Sequence, residues 1–153
     1  MITNEFLIDA RFRSCYIEGE LICYFLVIFL KISKSGWIAI SIGEGTANFH
    51  PLKEDPKLLR LSEIKDDYAY PISQLDQISF YFNKKITSIY EYQINGISEG
   101  CVGIYIEFEN CGFSIIEEEE DCPSITHGIK DLTNENVSLC KISPRPTPWP
   151  KSY

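Results

Sequence analysis

The sequence predicts a mainly β protein with one or two short helices, its strands forming an antiparallel curved sheet or a partly closed barrel. Three observations carry that expectation. Leu21–Ile32 ("LICYFLVIFLKI") is dense in β-branched and aromatic residues without a polar helical stripe, as in a strand buried on both faces. Gly103–Glu109 ("GIYIEFE") alternates strictly, with Ile104, Ile106 and Phe108 on one face and Tyr105, Glu107 and Glu109 on the other. Turn chemistry separates such runs: "SKSG" at 33–36, "NGISEG" at 95–100 and "NCG" at 110–112.

Taken in chain order, Leu21–Ile32 turns through Ser33–Gly36 into Trp37–Ile42 ("WIAISI"), a second strand pairing back. Gly43–Pro51 ("GEGTANFHP") breaks the pattern with two glycines and a proline. Between Lys53 and Asp67 charged residues surround Leu58, Leu59, Leu61 and Ile64, and Pro56 suits a first helical turn, so a short helix is expected there. Tyr70–Phe82 combines a helical turn after Ser73 with β-favouring residues at its end. A three-strand meander follows from Lys84 to Glu119, its last reversal a three-residue loop at Asn110–Gly112 with Gly112 supplying positive φ. Prolines at 144, 146, 148 and 150 remove amide donors and fix φ, so a globular domain over 1–143 is expected to give way to an extended tail over 144–153.

A chain of 153 residues with 44% apolar and 13% aromatic residues suits one domain with one core. Fourteen Lys and Arg against 22 Asp and Glu leave a net charge of −8. That balance disfavours nucleic acid and anionic membrane surfaces as direct partners and favours cationic ones. The longest apolar run, Leu21–Leu30, is half the length a membrane helix needs. The six cysteines (15, 23, 101, 111, 122 and 140) accompany an N-terminal stretch with no apolar secretion-signal core, so the expectation is free thiols in a reducing cytoplasm.

The acids are segregated. Between Ile86 and Ile129 there are nine of them (Glu91, Glu99, Glu107, Glu109, Glu117, Glu118, Glu119, Glu120 and Asp121) and no Lys or Arg. Glutamate on an exposed strand discourages edge-to-edge aggregation, but mixed signs would serve solubility as well, and like charges across a hairpin cost stability. The excess points to a cationic partner drawn in by charge complementarity. Calcium is the other taker of carboxylates, but the loop spacing of an EF-hand is missing and successive glutamates on a strand face opposite ways. No metal site and no cofactor are expected.

Enzyme signatures are missing too. The cysteine gaps form no zinc knuckle, and no phosphate loop, dinucleotide fingerprint or serine-nucleophile elbow is present. A Cys–His pair needs only spatial closeness, so Cys111 or Cys122 with His50 or His127 stays open as a thiol-enzyme alternative, with buried inert thiols the commoner case. The expectation is a protein that is not an enzyme.

"DDYAYPISQL" (Asp66–Leu75) followed by "GIYIEFENCGFSIIEEEEDCPSI" (Gly103–Ile125) resembles the small immunity proteins of bacterial contact-dependent growth inhibition and related polymorphic toxin systems. The resemblance covers about a third of the chain and lies in an acidic β-rich body with a Gly-turned hairpin. It implies a cytoplasmic protein with one partner, the C-terminal toxin domain of a surface-delivered protein, often a nuclease with a basic groove for phosphates. Stoichiometric occlusion of that groove would be the mechanism. The residues expected to carry it are Glu107, Glu109, Glu117, Glu118, Glu119, Glu120 and Asp121, with Tyr105 as an aromatic anchor. The alternative is an acidic binding module for another basic protein.

Overall fold

A computed structural model of the chain describes residues 2–119 and 122–142. Its eleven strands form two antiparallel sheets. The first has the order β4-β3-β2-β1-β5 and contains β1 (Leu7–Ile17), β2 (Glu20–Ile32), β3 (Gly36–Gly43), β4 (Thr46–Pro51) and β5 (Tyr68–Ala69), with β6 (Ile72–Gln74) also paired to β1. The second has the order β10-β9-β8-β7-β11, from β7 (Ser88–Ile94), β8 (Cys101–Phe108), β9 (Cys111–Glu119), β10 (Cys122–His127) and β11 (Val137–Lys141). Neither sheet closes on itself, so of the two expected forms the open, packed one is found. The proline-rich tail expected from residue 144 lies outside the described residues.

The two sheets share one core. Leu7, Ala10, Phe12, Ile28, Leu30, Ile38 and Ile40 face Ile89, Ile104, Ile106, Phe108, Phe113 and Ile115, all nearly inaccessible to solvent. Period-2 alternation places these residues, because a strand with one buried face hides every second side chain. Ile78 and Tyr81, on a 3₁₀ segment at Asp76–Tyr81, fill the space beside β1. The Tyr81 ring stacks on Phe108 at 5.1 Å and touches Phe113 at the same distance.

Several local expectations are corrected. Gly43–Pro51 does not end the sheet: Glu44 and Gly45 both take positive φ (53° and 79°), the pair a tight hairpin needs, and β4 returns along β3 as an edge strand. Gly45 has a second duty, since a Cβ there would collide with the backbone of Glu99 and its carbonyl accepts the Cys101 N–H at 3.0 Å. The helix expected over Lys53–Asp67 is a single 3₁₀ turn, Leu61–Glu63, in an otherwise irregular segment. That segment lies on the outer face of the first sheet, where Arg11 stacks on Trp37 (5.0 Å) and donates to the Pro56 carbonyl at 2.7 Å. Tertiary contact thus supplies what the short apolar window could not.

β1, β10 and β11 have no counterpart in the sequence expectations. β1 is tied in by polar side chains as well as by its ladder. Glu5, just before it, accepts the Lys34 and Ser35 N–H groups at 2.7 and 2.9 Å and so caps the β2–β3 turn, while Asp9 accepts from Gln74 of β6. Main-chain bonds between Asn4 and Ile86, Glu5 and Ile86, and Leu7 and Lys84 then join the entry of β1 to the approach to β7. The sheets are stitched at that end by backbone and at another corner by a disulfide.

Candidate interaction surface

The β8–β9 hairpin carries most of the expected partner-binding residues, and its register decides where each one goes. β8 ends at Phe108 and β9 begins at Cys111, so Glu109 and Asn110 make a two-residue turn rather than the expected three-residue loop. Asn110, with φ +60°, provides the left-handed conformation assigned above to Gly112. Gly112 is required for another reason: a Cβ would come within 2.5 Å of the Ile106 carbonyl and run into the Tyr105 ring.

That register separates the acids into two groups. Glu107 stands opposite Gly112 beside the turn, whereas Glu119 stands opposite Cys122 at the far end of β9. Seven residues of antiparallel strand span about 24 Å. Glu107 and Glu109 therefore lie about 17–24 Å along the hairpin from Glu117–Glu119. Glu120 and Asp121 lie outside the described residues.

The two groups also differ in surroundings. Glu109 lines an open cavity of about 450 Å³ with Lys84, Lys85, Thr87, Asn110 and Phe6, so cations stand close by. Phe80 is 65% exposed under the Lys84 ammonium (4.8 Å), and Phe6 is 41% exposed beside Lys85 (5.9 Å). This pair of exposed rings was missed by sequence reasoning. The run Phe80–Lys85 ("FYFNKK") held part of the signal, but Phe6 joins it only through the β1 entry. At the far end, Glu118 accepts from Lys130 Nζ at 3.1 Å and from Ser124 Oγ at 2.9 Å, and these contacts hold its carboxyl below the ordinary glutamate value. The charge of the five-acid run is thus partly met from within, by a lysine just beyond the base-free stretch.

Tyr105 departs from the expectation of a wet face shared with Glu107 and Glu109: it is 5% exposed and packs with Tyr92, Ile116, Leu132 and Val137 in a second, smaller cluster. The cover is the segment after β10. Gly128 N–H donates to the Gly112 carbonyl (2.8 Å), Ser114 Oγ donates to the Gly128 carbonyl (2.7 Å) and Lys130 N–H donates to Tyr92 Oη (3.0 Å). Burial, followed by the nearby Glu107 charge and Cys111, pushes the Tyr105 phenol above its ordinary value. Alternation fixed which way Tyr105 points, but a strap from later in the chain covers it. The exposed rings on this side of the fold are Phe6 and Phe80 instead.

The thiols divide as well. Cys23 and Cys122 are joined by a disulfide with Cα atoms 5.7 Å apart, linking β2 to β10 across 99 residues of sequence. The expectation of six free thiols fails for this pair, because spacing cannot show which strands meet. Cys15, Cys101, Cys111 and Cys140 are free. Cys122 is therefore no nucleophile in this state, and His127 Nδ1 lies 2.8 Å from Tyr81 Oη, which donates to the Gly112 carbonyl at 2.7 Å. Cys101, buried on β8, is pushed up to about 11 mainly by desolvation.

No helix among the described residues is long and apolar enough to cross a membrane. Comparison with known proteins found no matching family model, curated protein or solved structure.

Proposed function

We propose that this chain is a stoichiometric binding protein for a cationic protein partner, and that the partner is a toxin domain, a nuclease with a basic groove, of the kind the immunity-protein resemblance implies. One observation carries the reading: the charge is lodged on one half of the fold. Residues 1–87 hold ten bases and eleven acids, whereas residues 88–142 hold two bases and eleven acids, a net −1 against −9. Charge so divided orients an encounter, since a basic surface is drawn to the second sheet and not to the first.

The far end of β9, with Glu117, Glu118 and Glu119, is the centre of the proposed contact, and Glu120 and Asp121 follow it in the sequence. Glu107 and Glu109, with Phe6 beside Glu109, form a separate contact about 17–24 Å along the hairpin. A groove that reaches both is at least about 17 Å long. The test is growth rescue. Cells expressing a toxin domain encoded beside this gene should survive when the protein is co-produced, and reversing Glu119, Glu120 and Asp121 to Lys should weaken binding of the purified toxin domain by tenfold or more at low salt. Failure to rescue overturns the toxin assignment. Binding to unrelated basic proteins with equal strength would instead support the general acidic module.

A further inference from the structure

The Cys23–Cys122 disulfide has a neighbour that no other thiol of the chain matches. Cys15 of β1 is the ladder partner of Cys23 in β2. Directly opposed residues of antiparallel strands hold their Cβ atoms about 4.5–5.5 Å apart, within an ångström or so of the separation a disulfide needs. The ladder is irregular on both sides of this pair, between Arg13 and Cys15 and between Cys15 and Tyr16, so the backbone there is already released from strict register. The other free thiols are placed elsewhere. Cys101 is on β8, two strands from β10, Cys111 is at the opposite end of β9, and Cys140 is on β11 at the other edge of the sheet. Cys15 and Cys122 are both half-buried, leaving the site within reach of water, whereas Cys23 between them is buried.

We propose that Cys15, Cys23 and Cys122 form a thiol–disulfide exchange site in which Cys15 displaces Cys122 from Cys23. Cys15 loses its proton to solvent and its thiolate attacks Cys23 Sγ. The Cys23–Cys122 bond breaks, a Cys15–Cys23 bond forms, and Cys122 leaves as a thiolate that takes up a proton. One disulfide is consumed and one is made, so no oxidant or reductant enters. The structural consequence is specific. In the first state the disulfide fastens β10 to the first sheet, and in the second it lies wholly within the β1–β2 hairpin. β10 then keeps its β9 ladder, the Gln77 side-chain bond to the Ile125 carbonyl and the Tyr81–His127 contact, but no covalent tie to the first sheet.

The experiment uses the intact protein, purified without reductant. N-ethylmaleimide is added at pH 8 for increasing times, the reaction is quenched with acid, and non-reducing digestion with mass spectrometry maps both the label and the disulfides. Expected is a growing population with Cys122 labelled and Cys15 joined to Cys23, at a rate independent of protein concentration. In Cys15→Ser, labelling of Cys122 should fall at least tenfold while the Cys23–Cys122 bond persists. Finding Cys23–Cys122 as the sole disulfide of the wild-type protein, with Cys15 labelled and Cys122 never, overturns the proposal, and that result does not depend on the variant folding. Equal Cys122 labelling in Cys15→Ser, or a rate that rises with protein concentration, overturns it too.

Discussion

The two sheets solve the same packing problem with opposite electrostatics. The first sets its cations on rings: Arg11 lies over Trp37 and Arg13 over Phe29. Such pairs spend charge locally, as attraction to a ring face with the aliphatic stem packed below. The second sheet has eleven acids in its half of the chain, where Glu118 pairs with Lys130. Charge in the first sheet is used to hold the sheet's own surface together. Over residues 88–142, which hold the second sheet, the acids outnumber the bases eleven to two.

If the sheets are halves of one cooperative unit, the largest effect comes from the core they share. Phe113 on β9 is wholly buried, and Phe113→Ala should cost about 3–5 kcal/mol in urea unfolding. Leu30→Ala on β2 should cost about 2–5 kcal/mol, with a single transition in both variants. Separate transitions for the two sheets would break the comparison by showing two independent units.

The disulfide comes next. It closes a loop of 99 residues in sequence, and Cys122→Ser should lose about 2–5 kcal/mol measured without reductant. An unchanged midpoint would mean that the disulfide does not join the sheets in solution.

Two glycines give a smaller and sharper contrast. Gly19 and Gly45 have nearly equal positive φ (80° and 79°), but a Cβ at Gly19 meets open space while one at Gly45 meets the Glu99 backbone of the other sheet. Gly19→Ala should cost about 1 kcal/mol from backbone conformation alone. Gly45→Ala should cost about 1–3 kcal/mol, and the excess over Gly19→Ala measures the intersheet contact.

The smallest stability effect lies at Glu118–Lys130, whose side chains are 45% and 41% exposed. Removing either should cost less than about 1 kcal/mol and less still in high salt. Because the Glu118 carboxyl is lowered in the fold, its contribution is present above the ordinary glutamate value, about 4.3, and is lost as pH falls through the lower folded value. Cys101 has the opposite sign. Its thiol is raised to about 11, so the fold gains from the neutral form below the unfolded value and loses that gain as pH rises toward 11. Burial and the raised thiol both slow alkylation, so iodoacetamide at pH 8 should modify the buried Cys101 at least tenfold more slowly than the exposed Cys140.

The β-rich class, the β2–β3 hairpin and the β7–β9 meander were legible from residue chemistry, because alternation and turn residues are local signals. β1 was not, since "NEFLIDARFRSCYI" mixes charges into its outward positions, and those charges make sense once Arg11 is seen on Trp37 and Asp9 beside Gln74. The acid-rich hairpin was visible as composition, but its division into two ends was not. Nine acids in one stretch look like one patch until strand length separates them.

By itself the sequence determined which residues face inward, where the chain can reverse and how the net charge divides along it, for each depends on neighbours a few positions away. Tertiary structure alone decided that Tyr105 is covered, that Glu118 has a lysine, that Phe6 and Glu109 line one cavity and that Cys23 meets Cys122 with Cys15 opposite. Each of these is a meeting of segments distant in the chain. Such meetings are fixed by how the two sheets pack, and no local pattern encodes them.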